Sequence, residues 1–93
     1  MYIHLGGKTV IKTNSIIGIF DIDYCSISKR TRGFLRDAEQ KGNVVNVTDE
    51  LPKSFVVCDG EDGQKVYISS ISPTTLKKRA GFVEGLKLFE QRL

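Results

Sequence analysis

"KSFVVCDGEDGQKVYISSI", residues 53–71, decides the fold. Two apolar runs rich in β-branched and aromatic residues, "KSFVVC" and "KVYISSI", flank the turn "DGEDG", where Gly60 and Gly63 supply the backbone freedom of a tight reversal. The stretch reads as a β-hairpin. Its acidic turn lacks the twelve-residue ligand pattern of a calcium loop, so the carboxylates belong to the turn and not to a metal site.

Upstream, the polar turn "TDELP" separates the hairpin from a short strand, "VVNV" at 44–47. Before that strand, "KRTRGFLRDAEQK" has helical spacing, with Ser28 as its N-cap and Gly42 as its left-handed stop. Phe34, Leu35 and Ala38 form its apolar stripe, and Lys29, Arg30, Arg32 and Arg36 remain on the outer side. Gly33 weakens this helix by about 1 kcal/mol relative to alanine, so packing against a sheet has to hold it. Further upstream, "SIIGIFDID" is a strand ending at Asp23, with Gly18 as a bulge or a point of close approach. The first residues, "YIHL" and "KTVIK" around Gly6-Gly7, form another hairpin. In it Ile3, Leu5 and Val10 are offered to the core, and Tyr2, His4 and Thr9 share the other face.

Downstream, Ser72 caps a second helix and Pro73 takes its first position, where a missing N–H costs nothing. Leu76, Ala80 and Val83 fall on one stripe. Phe82, Leu86, Phe89 and Leu93 form another, its centre about 110° around the helix at about 100° per residue. Either the helix breaks near Gly81 and Gly85, or it runs on with two apolar faces. A chain of 93 residues can hardly cover both. Self-association through Phe82, Leu86, Phe89 and Leu93 is the natural expectation, and a broken helix folded back on its own sheet is the alternative.

The fold class is therefore α+β: a small antiparallel sheet of hairpins with two packed helices, oligomerising. Hydrophobic residues make up 40% of the chain and charged residues 27%, a globular composition. The net charge of +3 permits a polyanionic partner without requiring one, and its excess lies mostly in 29–41. No charged-then-apolar leader opens the sequence and no apolar run approaches the eighteen or so residues of a membrane span, so a cytoplasmic location away from membranes is expected.

Little here points to catalysis, and no enzyme activity, cofactor or metal is expected. His4 sits in a strand with no nucleophile or carboxylate placed beside it by a motif. Asp21 and Asp23 share a strand face and read as the solvated edge of a sheet. Cys25 and Cys58 lack any CxxC or nearby histidine and read as reduced, buried thiols. Lys77, Lys78 and Arg79 fan out around their helix and cannot all meet one flat phosphate surface.

Four segments in order, "MYIHLGG" at 1–7, "IIGIFD" at 16–21, "PKSFVV" at 52–57 and "SPTTLKKRA" at 72–80, resemble the RemA/RemB family of small bacterial extracellular-matrix regulators. The resemblance covers residues 1–82 as one RemA/RemB-like domain and leaves 83–93 as a C-terminal helical extension. It implies a homo-oligomeric, ring-forming transcriptional regulator of biofilm-matrix genes that binds duplex DNA on basic residues. The RemA branch of the family carries an arginine at the start of the strand that is "SIIGIFD" here, and a basic pair before "SFVV". This chain has Asn14-Ser15 and Glu50-Leu51-Pro52 in those regions, with Lys53 the remaining cation. The candidate DNA contacts are then Lys53, Lys29, Arg30 and Arg32, with Lys12 beside them. The alternative is a self-assembling protein that acts through another protein, such as a RemA-like regulator, while its acidic turns keep DNA away.

Overall fold

Residues 54–58 are buried one after another, which places their strand in the middle of a sheet covered on both faces. The computed structural model describes residues 2–22, 29–61 and 63–81. The hairpin that decides the fold consists of β5 (Ser54–Gly60) and β6 (Gly63–Ser69), paired from Ser54↔Ser69 down to Gly60↔Gly63 around a two-residue turn. Its other neighbour is β3 (Ile16–Asp21), antiparallel to β5 with a bulge between Ile16 and Gly18. On the far side β4 (Val44–Asn46) lies parallel to β6, so the sheet order is β3-β5-β6-β4. The second sheet is the expected first hairpin, β1 (Tyr2–Gly6) with β2 (Thr9–Lys12).

Three layers result. Below the four-stranded sheet lies α1 (Lys29–Gln40), whose Ala38 and Leu35 pack on Phe55, Val57, Val66, Phe20 and Val44. Above it the hairpin and α2 (Pro73–Arg79) bring Ile3, Leu5, Ile11, Leu76 and Ala80 onto Ile16, Ile19, Val56 and Cys58. Leu5, Ile19, Leu76, Val56 and Val66 are each wholly buried, and each such side chain stabilises the fold by about 1.5–3 kcal/mol. Two buried serines lock the upper layer to the sheet. The Ser69 hydroxyl donates to the Leu5 carbonyl at 2.7 Å and the Ser54 hydroxyl to the Ile71 carbonyl at 2.8 Å.

The expected helix ends hold. The Ser72 hydroxyl accepts from the Thr75 N–H, Pro73 follows it, and Gly42 and Gly81 stop the two helices at φ 76° and 67°, a region where a Cβ would be strained. The second helix ends at Arg79, ahead of Gly81. Val83 and the stripe Phe82, Leu86, Phe89 and Leu93 lie outside the described residues, as do Asp23, Cys25 and the Ser28 cap.

Gly18 is both bulge and close approach: a Cβ there would stand 2.5 Å from the Phe20 ring, which stacks on Phe55 with centroids 5.0 Å apart.

Two expected core residues are exposed instead. Val10 is 55% accessible and Ile11 takes its place in the core, because the turn is Gly7-Lys8 and the pairing shifts between His4 and Gly6. A one-residue shift moves a side chain to the opposite face. Phe34 is 37% exposed, since Ala38 and Leu35 face the sheet and Phe34 sits beside that contact.

Candidate nucleic-acid interface

Sheet topology decides which cations meet. β3 runs towards Asp21, β5 starts opposite it at Ser54, and the Ile22 N–H donates to the Lys53 carbonyl at 3.1 Å. Lys53 is held again on its other side, where its N–H donates to the Ser69 carbonyl at 2.9 Å. Its side chain is exposed. The helix that follows β3 crosses the lower face and returns to β4, with Asn43 donating to the Ala38 carbonyl and accepting from the Val66 N–H. Those bonds fix the C-terminal end of α1 at the start of β4. Lys29, Arg30 and Arg32, in the first turn of α1, are exposed.

Lys12 does not join Lys53. It leads through a 3-10 turn, Thr13–Ser15, into the Ile16 end of β3, whereas Lys53 marks the Asp21 end. The six residues of β3 separate the two ends by about 17 Å at the usual strand rise. Of the expected set, Lys12 and Lys53 thus lie at opposite ends of β3.

Next to Lys53 the loop reverses character. Asp49, Glu50 and Leu51 are exposed, Leu51 by 81%, and the Glu50 N–H donates to the Thr48 hydroxyl at 3.3 Å. The loop is pinned at Val47, whose N–H donates to the Ile68 carbonyl, and at Lys53. Carboxylates therefore flank the cation on a loop fixed at both ends.

Of the three cations of α2, Arg79 is bound into the fold. Arg79 donates from its guanidinium to the His4 carbonyl at 3.1 Å, tying α2 to β1, and Lys77 is half-buried. Nε2 of His4 donates to the Gly7 carbonyl at 2.8 Å, which closes the hairpin turn. The imidazole is engaged in structure.

A recess of about 140 Å³ at the far end of the central hairpin went unnoticed in the sequence, because its lining comes from three separate elements: Ser15, Cys58 and Gly60, then Glu61, Gly63, Lys65 and Tyr67. Burial pushes the Cys58 thiol up, an effect the hydrogen bond with Ser15 partly offsets. Burial likewise raises Tyr67, and the nearby Cys58 adds to it. Both groups are thus held protonated at neutral pH, and the Ser15 hydroxyl already donates to the Lys12 carbonyl at 2.7 Å. None of the three is an activated nucleophile. No helix among the described residues is long and apolar enough to cross a membrane.

Comparison with known proteins agrees with the four segments singled out in the sequence. The RemA-like family pattern, described as Extracellular matrix regulatory protein A-like, matches residues 2–80. Extracellular matrix regulatory protein B of Bacillus subtilis strain 168 is 43% identical over 83 residues, covering 89% of this chain and 94% of the relative. The family's name describes a regulator rather than an enzyme. With a match that runs from β1 through α2 and a relative aligned over nearly its whole length, this chain belongs to the RemA-like family of extracellular matrix regulatory proteins.

Proposed function

We propose that the chain is a cytoplasmic, homo-oligomeric regulator of extracellular-matrix genes that binds the phosphate backbone of duplex DNA through many weak contacts. What supports this reading is that Lys53, Lys29, Arg30 and Arg32 are all exposed, and that Lys53 marks the end of the sheet at which β3 finishes before the chain goes on to α1. Four cations per subunit bind DNA poorly, but subunits repeated in an assembly raise the effective concentration of each further contact. Phosphate contacts carry no sequence information, so base selectivity is low and affinity falls steeply with salt. The stripe Phe82, Leu86, Phe89 and Leu93 is the proposed source of self-association.

Light scattering with in-line size exclusion, on the full chain with and without a duplex of about three helical turns at low salt, tests it. An assembly that grows on adding DNA, and a Lys53→Glu variant that does not respond, are the expected results. A monomer, or an assembly blind to DNA, overturns the proposal.

A second reading rests on the acidic loop. Asp49 and Glu50 beside the 81%-exposed Leu51 suit a protein partner with a basic-rimmed apolar pocket, such as another RemA-like regulator. Glu50→Arg separates the two: if it creates DNA binding where the native chain has none, the native loop serves a protein.

A further inference from the structure

The first hairpin keeps an apolar diagonal in solvent. Ile3, Leu5 and Ile11 point into the core, so Tyr2, His4, Val10 and Lys12 share the outer face. The pairs Tyr2↔Lys12 and His4↔Val10 make Tyr2 and Val10 diagonal neighbours, about 7 Å apart, and they are 62% and 55% accessible. Polar residues are the rule on the solvated face of an antiparallel pair, and two large apolar ones set side by side form a patch with room for a partner. The face carries no carboxylate: Asp21 is the first acid in the sequence, and Lys12 stands at one corner.

The sequence holds a segment of matching pattern. Phe82, Leu86, Phe89 and Leu93 fall within about 60° of one another at about 100° per residue, and at helical rise their line is about 17 Å long. The five residues of β1 also span about 17 Å. Glu90 stands about 40° from Leu86, on the flank of the stripe, where a cation such as Lys12 suits it. A helix this short is marginal alone in water and needs a surface to pack on. The hairpin of the same chain is out of reach for the whole stripe. Ala80 is buried with Ile3, Leu5 and Ile11, on the inner side of the hairpin. Phe82 follows two residues later, at most about 7 Å on, while a layer on the outer face lies about 10 Å beyond the strands themselves. The stripe of another copy, arriving from outside, meets no such limit.

We infer that the outer face of the first hairpin, Tyr2 and Val10 with Lys12 at its corner, receives the segment 82–93 of a second copy of this chain. The inference rests on the self-association proposed above and deepens it by naming the surface that the stripe meets. The donor lies beyond residues 2–80, the stretch that the family pattern matches, so the contact is not one that pattern describes. Each copy carries one donor and one acceptor at different places. Such a head-to-tail contact builds rings or filaments in place of isologous dimers.

Full-length variants test it by light scattering with in-line size exclusion, in the absence of DNA. Val10→Glu blocks the acceptor and leaves the donor, and Leu86→Glu does the reverse. Each alone is expected to elute with the mass of one chain at a concentration where the native chain assembles. An equimolar mixture at a higher concentration is expected to reach the mass of two chains and no more. Tyr2→Glu repeats the acceptor block at a second exposed position, and melting temperatures taken at a dilution where the native chain is monomeric show that the variants are folded. If Val10→Glu and Tyr2→Glu assemble as the native chain does while Leu86→Glu does not, the stripe meets another surface and this inference alone fails. A mixture that stays at the mass of one chain overturns it as well. A native chain that is itself a monomer, or a Leu86→Glu variant that assembles normally, removes the self-association reading and the inference with it. Should Leu86→Glu melt below the native chain at that dilution, the stripe covers its own chain, and docking on a second copy is overturned.

Discussion

α1 and α2 are the two basic helices among the described residues, and the fold holds them to different degrees. The seven residues of α2 end in Lys77, Lys78 and Arg79, the densest run of positive charge in the sequence. Yet α2 is held from every direction: Leu76 is wholly buried, Ser72 caps the start and Arg79 reaches back to the His4 carbonyl. The twelve residues of α1 bury only Ala38 and leave Lys29, Arg30, Arg32 and Arg36 in solvent. A run of charge does not by itself mark a binding surface. What matters is whether the fold already uses the charges, as it uses Arg79.

Truncation at the buried contact of each helix tests this contrast first. Leu76→Ala is expected to cost about 2–5 kcal/mol in urea unfolding, as a fully enclosed leucine does. Leu35→Ala in α1, where the side chain is half-exposed, should cost clearly less. Equal losses would mean that α1 is anchored as firmly as α2, and the contrast would fail.

The caps come next in size. Ser72→Ala removes the acceptor for the Thr75 N–H and should lower stability by about 1 kcal/mol, read as a fall in thermal midpoint with DNA binding unaffected. Arg79→Met keeps much of the aliphatic stem and deletes the bond to the His4 carbonyl. On an exposed side chain this should cost about 0.5–1 kcal/mol, and it should leave the salt slope of DNA binding as it was, because this cation belongs to the fold. A shallower slope would place α2 on the DNA surface after all.

The smallest effect sharpens the account of α1. Asp37→Asn breaks an exposed ion pair one turn long, worth about 0.3–0.5 kcal/mol, and frees Lys41. Stability should barely move while affinity for duplex rises slightly at low salt, which anisotropy resolves.

Much of this was legible in the sequence, and the failures have definite causes. The caps at Ser72 and Pro73 and the stops at Gly42 and Gly81 are local chemistry, readable from neighbours in the chain. So was the central hairpin, whose two apolar runs became β5 and β6 around the acidic turn. Val10 was misplaced because alternation gives the two faces only once the turn is known, and the turn is Gly7-Lys8 rather than Gly6-Gly7. The parallel partner of β4 depends on a crossover through α1, which no run of residues in β4 announces. The separation of Lys12 from Lys53 needed that same topology. Gly33 was visible as a weak point in its helix, but only the three-dimensional surroundings show that a Cβ there would meet no atom within 4 Å among the described residues.

The hydroxyl of Ser69 reaches the carbonyl of Leu5 across 64 positions of sequence. On the ribosome, where a chain grows at about 5–20 residues per second, β1 emerges first and has no sheet to rest on until β6 has been made. Ile3, Leu5 and Ile11 must spend that interval unburied, at risk of sticking to whatever is near. Such a fold begins from its C-terminal half and closes over its own beginning last. The nascent first hairpin is therefore the segment a chaperone has most reason to shelter.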